Sequence, residues 1–280
     1  MPFTTADLAA ATALPRPSYF LKAPTTGGIT SGIMASAWTM PGSPAAGALG
    51  AGVNGATSDG STTGALSRTD PASGNSYLYR LLANSPHVAS ANLGSGLLFL
   101  VDRLWSDTLA ASTTTLQPIT SPTWPTRCPT SATDDTPATT GHGVLLGMEI
   151  STNLSNPPFC TVSYTNSSGT SGRAGATIPS GAATAAFGFF PIGLAAGDLG
   201  VRSVQSCTMT NSCTGTYGLV AYRILAVAAV SSGQPFPQLD WYSCGSARIY
   251  NASCLSFLFS YISSTTGLPN LDIALTETQG

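Results

Sequence analysis

From residue 96 onward, short apolar segments alternate with segments rich in turn-forming residues. Residues 97–105 are almost continuously apolar and predict a buried strand. Residues 166–172 contain Asn, Ser and Gly, which favour turns, so the segments on either side predict a β-hairpin. Short strands at fairly regular spacing are typical of a mainly β protein, and we expect a β-sandwich of jelly-roll type. The other predicted strands cover residues 143–151, 159–165, 173–178, 186–192, 200–207, 216–230, 247–250, 254–262 and 271–275.

Two short segments before residue 96 predict helical structure. Residues 8–14 are mostly Leu and Ala, follow a Thr-x-x-Asp sequence that resembles a weak capping box, and are ended by Pro15. Residues 77–82 predict a single helical turn. We therefore expect one short helix near the N-terminus.

Residues 18–76 are rich in Gly, Ala, Ser, Thr and Pro and show no sustained strand or helix periodicity. Such a segment buries too little surface to fold alone, and long loops without secondary structure are uncommon inside compact domains. We therefore expect residues 1–85 to form an extended arm that lies across neighbouring subunits, while residues 86–280 form the β-sandwich domain. The alternative is a leader segment that packs on its own domain.

The charge content indicates a protein with much of its surface covered. Hydrophobic residues make up 42% of the chain, which is enough for a substantial core. Charged residues make up only 8%, against about 25% in typical soluble domains, and Lys22 is the only lysine. Charged side chains are depleted at buried interfaces because their desolvation is costly. We therefore favour a surface covered by copies of the chain or by partners over the alternative, an extracellular coat rich in Ser and Thr.

The net charge of −2 and the lack of a basic patch disfavour direct binding to nucleic acid or to a membrane surface. The first residues lack the basic and apolar regions of a secretory signal, and the longest apolar run, residues 219–230, is too short to span a bilayer. We therefore expect a chain that is made in the cytoplasm without a signal peptide.

Six cysteines and two histidines show no metal-binding spacing, so we expect no zinc site. Cys207 and Cys213 lie on either side of the segment Thr-Met-Thr-Asn-Ser. If that segment is a turn between two strands, the two thiols face each other and are candidates for a disulfide. The alternative is that they are free buried thiols. The other cysteines are Cys128, Cys160, Cys244 and Cys254.

The sequence shows no recognisable catalytic constellation. Neither His87 nor His142 belongs to the motif of a hydrolytic triad, and no Gly-x-Ser-x-Gly elbow is present. The only lysine lies outside any phosphate-binding glycine loop. Asp134 and Asp135 lie in a loop rich in Thr and Pro and lack the spacing of a calcium loop. We therefore expect a protein that is not an enzyme and that uses no cofactor or metal.

The densest group of specific side chains is Asp102, Arg103 and Trp105, inside the strand predicted at residues 97–105. Arginine can pair with a carboxylate through two hydrogen bonds and can stack on an aromatic ring. In a chain with so few charges, this group indicates a buried ion pair or an interface anchor, and its apolar neighbours favour the internal role. Trp124 lies in a loop and is a further candidate contact residue.

Five segments carry a resemblance to known proteins, and they fall within residues 95–230. The segments are 101–105 (Val-Asp-Arg-Leu-Trp), 120–127 (Thr-Ser-Pro-Thr-Trp-Pro-Thr-Arg), 143–151, 162–173 and 193–205. Together they resemble a family of small virion structural proteins from tailed bacteriophages. The resemblance implies a capsid decoration or cement protein, with a β-sandwich that binds the major capsid protein or other virion proteins. It also implies association with copies of itself as a dimer or trimer.

A tail, baseplate or fibre component that contacts the host surface is the alternative virion role. Such a protein would expose aromatic side chains at a loop tip, and Trp124 is the candidate for that contact. A surface adhesin or carbohydrate-binding module is disfavoured by the missing secretion signal, and a particle-associated hydrolase by the missing catalytic groups. The sequence therefore predicts a non-enzymatic structural protein that is located in the virion.

Overall fold

The structure is a computed structural model of the chain. It describes residues 16–22, 33–84, 95–156, 159–177, 185–231, 238–240, 243, 245–261 and 271–280. Every regular element in these ranges is a β-strand, which confirms the prediction of a mainly β protein. The short helix predicted at residues 8–14 lies outside these ranges. The described part of the chain contains no helix that is long and apolar enough to cross a membrane.

Every strand predicted after residue 96 is present, and the predicted hairpin forms, with Tyr164 opposite Arg173. The strands are β1 (Arg16–Lys22), β2 (Met34–Ser36), β3 (Gly42–Ser43), β4 (Ala56–Thr57), β5 (Ser76–Asn84), β6 (Ser95–Ser106), β7 (Gln117–Pro118), β8 (Cys128–Ser131), β9 (Asp134–Ala138), β10 (Leu145–Thr152), β11 (Cys160–Asn166), β12 (Arg173–Ala176), β13 (Gly188–Ile192), β14 (Val201–Met209), β15 (Thr216–Ser231), β16 (Gln238–Leu239), β17 (Arg248–Ile249), β18 (Leu255–Tyr261) and β19 (Leu271–Gln279).

The strands form four antiparallel sheets. The first has six strands in the order β16-β5-β19-β1-β3, with β17 also paired to β5. The second has seven strands in the order β15-β10-β13-β2-β18-β6-β4. The third has the order β12-β11-β14-β7, and the fourth is the β8–β9 hairpin.

The seven-stranded sheet closes on itself. β15 pairs with β10 along one edge and with β6 along the other, so six strands form a barrel and β4 is added to its outside edge. β15 has 16 residues, and its pairing with β6 is irregular at two points, which bends the strand toward closure. Part of the predicted β-sandwich of jelly-roll type is therefore a closed barrel in the structure.

Side chains of the barrel strands alternate between two hydrophobic clusters. The larger cluster lies outside the barrel and includes residues of the other sheets; Phe20 of β1 meets Phe257 of β18 with ring centroids 4.8 Å apart. The smaller cluster consists of residues from the opposite face of the same strands, so it fills the barrel interior. Its buried members are Val101, Phe189, Val220, Tyr222 and Leu258.

The first part of the chain contributes strands to both large sheets. β1 pairs with β19 along its whole length, and β2 lies between β13 and β18 in the barrel. Arg68 binds Glu277 of β19 through two hydrogen bonds of 2.8 Å. The described residues of the predicted arm, 1–85, therefore contribute strands and an ion pair to sheets that they share with residues 86–280. Strands of two or three residues in loops rich in Gly and Ser carry no periodicity, so the sequence does not reveal them.

Residues 77–82, for which a helical turn is predicted, belong to strand β5. Leu78 and Leu81 both face the core, and their three-residue spacing resembles that of a helix. The spacing arises from an irregular register opposite Thr276 and Glu277 of β19, which shifts the alternation by one residue.

Candidate functional site

Arg103 projects into the barrel, where its guanidinium Nη1 donates a 2.6 Å hydrogen bond to Glu149 Oε2 of β10. Both side chains are at most 3% exposed. The guanidinium carbon lies 4.5 Å from the centroid of a Trp38 ring, so the indole stacks on this ion pair. Nε and Nη2 of Arg103 and Oε1 of Glu149 form no hydrogen bond with any described residue. The pair is thus strongly desolvated, and removal of one partner would leave an uncompensated buried charge.

Asp102, the preceding residue, belongs to a different network. Its Oδ1 lies 3.5 Å from Arg127 Nη1 and accepts the backbone N–H of Cys254 at 2.9 Å. Its Oδ2 accepts the Ser253 hydroxyl at 3.0 Å. Arg127 also donates to the backbone carbonyl of Arg103 at 3.1 Å. Asp102 and Arg103 therefore bind different partners and act as internal structural residues.

The three tryptophans in the described ranges are buried, and each indole N–H donates to a backbone carbonyl. Trp105 donates to Asn54 at 2.9 Å, and Trp124 donates to Val201 at 2.7 Å. Their ring centroids are 5.7 Å apart, so the two side chains pack together in the core. Trp124 is only 1% exposed and is not the exposed loop aromatic that a host-contact role predicts. The third, Trp38, donates to Ala48 at 2.9 Å.

Cys207 and Cys213, the candidate disulfide pair, are both buried free thiols in the structure, as in the alternative stated above. Cys207 lies inside β14, which continues to Met209, so the turn begins later than the sequence suggests. The Sγ atom of Cys207 instead lies 2.7 Å from that of Cys160 on β11. The pairing of β14 with β11, two strands far apart in the sequence, brings these two thiols together.

One face of the six-stranded sheet exposes several apolar side chains, with the charged Asp272 beside Leu21 at their edge. On β1, Tyr19 is 69% exposed and Leu21 is 52% exposed, and Pro17 points the same way. The register places Tyr19 beside Ala274 of β19, and Ala274 beside Leu82 of β5. We call Tyr19, Leu21, Ala274 and Leu82 the apolar stripe. Exposed apolar surface of this kind, with an aromatic residue at its centre, is typical of protein contact sites.

The only lysine of the chain lies on the opposite, buried face of β1. Lys22 Nζ donates to three backbone carbonyl oxygens, those of Met40 at 2.9 Å, Pro44 at 2.6 Å and Ala45 at 3.2 Å. Burial lowers the pKa of Lys22 to about 8. The lysine therefore holds a loop against β1 and adds no charge to the apolar stripe.

The polarity pattern of the sequence does not reveal this stripe. Residues 16–22 alternate strictly between buried and exposed positions, but Tyr19 and Leu21 are outside while Lys22 is inside. A polarity pattern alone would place the lysine in solvent and the leucine in the core. The reversal depends on the three carbonyl partners of Lys22, which come from a loop with no periodicity of its own.

Comparisons with known proteins give little guidance. Among the described residues, no three His, Cys, Asp or Glu side chains are grouped so as to hold a metal ion. No protein-family model matches the chain, and no curated protein matches it. Two structures of infectious bursal disease virus are similar over 95% of this chain at 10% identity. The VP2 subviral particle is covered over 81% of its chain with a TM-score of 0.22, and the Gx strain over 80% with a TM-score of 0.21. These scores are too low to indicate a shared fold.

Proposed function

We propose that this protein is a non-enzymatic structural component of a virion that decorates or cements the capsid of a tailed bacteriophage. The observation that carries the proposal is the apolar stripe, because a folded chain that exposes Tyr19 and Leu21 on a sheet face presents a surface suited to contact with another protein. The resemblance of residues 95–230 to virion proteins of tailed bacteriophages supports the location.

The low charge content supports assembly in a second way. Of the ten basic residues, Lys22, Arg68, Arg103 and Arg127 are almost fully buried in contacts within the chain. The remaining surface is therefore rich in small neutral side chains, whose desolvation on binding costs little. We propose as partners the major capsid protein or other virion proteins, and copies of the chain as a dimer or trimer. Direct contact with nucleic acid or membrane is not part of the proposal.

The first experiment separates heads from tails of purified particles and quantifies the chain in each fraction by mass spectrometry. Chymotrypsin is the suitable protease, since only 10 Lys and Arg residues limit tryptic coverage. A high copy number in the head fraction is expected. A low copy number confined to tails would contradict the head role and favour the alternative, a tail, baseplate or fibre component that contacts the host.

A second experiment tests the stripe itself. Tyr19→Asp should weaken association with heads, and self-association measured by light scattering, by about 30-fold, as for an aromatic interface hot spot. Leu199→Asp is the matched control, because Leu199 is 66% exposed but lies outside the six-stranded sheet. Both variants should unfold at the wild-type temperature. Equal association by Tyr19→Asp and the wild type would rule out the stripe as the contact surface.

A further inference from the structure

A cleft of about 820 Å³ opens between the β8–β9 hairpin, the middle of β15 and the segment that leads into β17. This volume is within the range of small-molecule sites, which is about 300–1,000 Å³. Two arginines line it, Arg223 and Arg248, and both lie over the ring of Tyr250. Their guanidinium carbons are 5.1 Å and 4.8 Å from the ring centroid. The aromatic ring therefore fixes the positions of both cations.

The charge of Arg248 is neutralised within the chain. Its Nη1 donates to the Asp135 carbonyl oxygen at 2.9 Å and lies 3.5 Å from Oδ2 of the same residue. Its Nη2 donates to Asn75 Oδ1 at 2.6 Å. The Tyr250 hydroxyl also donates to the Asp135 carbonyl, at 2.8 Å, and burial raises the pKa of Tyr250 to about 12. This wall of the cleft is thus rigid and carries no excess charge.

Arg223 differs, because no carboxylate of the described residues lies within salt-bridge distance of its guanidinium. Its Nη1 donates to the Arg127 carbonyl oxygen, which is a neutral acceptor. Asp102 lies opposite Arg223 in the β6–β15 register, but its carboxylate is bound by Arg127 and by the Ser253–Cys254 turn. Arg223 therefore presents to the cleft a cation that no described carboxylate neutralises.

The rest of the lining is polar and suited to hydroxyl groups. Asp134, Ser131 and Thr133 come from the β8–β9 hairpin, and His142 lies on another wall. Hydrogen bonds from Thr136 lower the pKa of Asp134, so its carboxylate is ionised and accepts hydrogen bonds at neutral pH. A carboxylate acceptor beside hydroxyl groups that both donate and accept can bind the neighbouring hydroxyls of a sugar ring.

We propose that this cleft binds an acidic saccharide, with the sugar carboxylate on Arg223 and the sugar hydroxyls on Asp134, Ser131 and Thr133. A guanidinium holds a carboxylate through two parallel hydrogen bonds, which fixes the orientation of the sugar. Arg223 is the lining arginine without a salt-bridge partner among the described residues, so it can anchor one ligand carboxylate. The ionised Asp134 on the same cleft repels more highly charged anions such as phosphate.

The test is a titration of the full chain with D-glucuronate. Calorimetry and saturation-transfer NMR measure the binding. D-Glucose supplies the hydroxyls without the carboxylate, acetate supplies the carboxylate alone, and a glutamate-containing peptide supplies a carboxylate from a protein source. We expect glucuronate to bind at least about tenfold more tightly than each of the three, the factor that one charge-assisted hydrogen bond supplies. Failure of glucuronate to bind, or tighter binding of the peptide, would overturn the proposal.

Matched arginine variants localise the binding. Arg223→Gln should weaken glucuronate binding by about tenfold or more, because it removes the charge but keeps a hydrogen-bond donor. Arg202→Gln changes an exposed arginine on β14 and should leave binding unchanged. Thr133→Trp fills the cleft from an exposed hairpin position and should block binding. It serves as an independent test if the Arg223→Gln variant does not fold. Equal binding by the Arg223→Gln and Arg202→Gln variants, or full binding by Thr133→Trp, would contradict the assignment.

Discussion

The Sγ atoms of Cys160 and Cys207 lie 2.7 Å apart in the core, on neighbouring strands of the four-stranded sheet. A disulfide requires an S–S separation of about 2.05 Å, so a displacement of less than an ångström suffices to form one. We expect oxidised glutathione to join the two thiols, with each bond formed releasing two molecules of reduced glutathione. The cross-link spans 47 residues and should stabilise the fold by about 4 kcal/mol in the loop-closure model.

Peptide mapping after thiol alkylation checks this prediction, with thermal unfolding in the presence and absence of reductant. Cys207→Ser should abolish the cross-link and the effect of reductant on the unfolding temperature. Cys213→Ser is the matched control and should preserve both, because Cys213 is buried and is not paired with Cys207. A cross-linked peptide containing Cys213 would show that the pairing is different from the one expected here.

The cysteines also show what the sequence can and cannot reveal. Cys207 and Cys213 are close along the chain, and closeness in sequence is the only kind that a single sequence contains. Cys160 lies 47 residues away and becomes a neighbour only when β11 pairs with β14. Strand positions after residue 96 were predictable because they depend on local apolar runs and turns. Partners across strands were not, because they depend on topology.

The closure of the barrel could not be predicted from the sequence for a related reason. In a strand with one exposed face, apolar and polar residues alternate and reveal which side is buried. Residues 100–105 of β6 are buried on both faces, inside the barrel at Val101 and outside it at Leu100. The nearly continuous apolar run at residues 97–105 therefore predicted a buried strand correctly but contained no information about the curvature of the sheet.

The Arg103–Glu149 pair inside the barrel should be strongly coupled. Glu149→Gln leaves the Arg103 charge without a partner in a desolvated site and should cost about 3–5 kcal/mol of unfolding free energy. The double variant Arg103→Met with Glu149→Leu removes both charges and should recover most of that loss. Urea denaturation of the wild type, Arg103→Met, Glu149→Leu and the double variant measures the coupling.

Asp102 supplies the control for this cycle. Asp102→Ala and Arg103→Ala affect separate networks, so their free-energy changes should add within about 0.5 kcal/mol despite their adjacency in the chain. A coupling energy between Asp102 and Arg103 as large as that between Arg103 and Glu149 would mean that the two networks are not independent.

Gly147 leaves the space that Phe189 occupies inside the barrel. A Cβ atom at Gly147 would lie 2.1 Å from Phe189 Cζ, and the ring is held in place by an edge-to-face contact with Tyr222 at 5.3 Å. Gly147→Ala should therefore destabilise the fold by about 1–3 kcal/mol through overpacking. Phe189→Leu in the same chain should relieve part of the cost. Gly193→Ala, whose Cβ would meet only a carbonyl oxygen at 3.7 Å, should change stability by less than about 0.5 kcal/mol.

Asp107 should make the stability of the protein depend on pH. Its side chain is fully buried, its Oδ1 accepts the Leu219 N–H at 2.6 Å, and its Oδ2 has no hydrogen-bond partner among the described residues. Burial raises the pKa of Asp107 well above its ordinary value. An acid with a higher pKa in the folded state holds its proton more tightly there. Its stabilising contribution is therefore complete below the unfolded pKa of about 4 and is lost as the pH rises through the folded pKa.

Asp107→Asn removes this titration while it keeps the acceptor for Leu219. The variant should match the wild type near pH 4 and exceed its unfolding free energy by about 1–3 kcal/mol at pH 8, where the wild type must either bury a charge or retain a proton against the solution. Urea denaturation at a series of pH values measures the difference. A difference that stays constant from pH 4 to pH 8 would mean that Asp107 does not titrate in this range and that its carboxylate has a cationic or hydrogen-bonding partner that stabilises the charge.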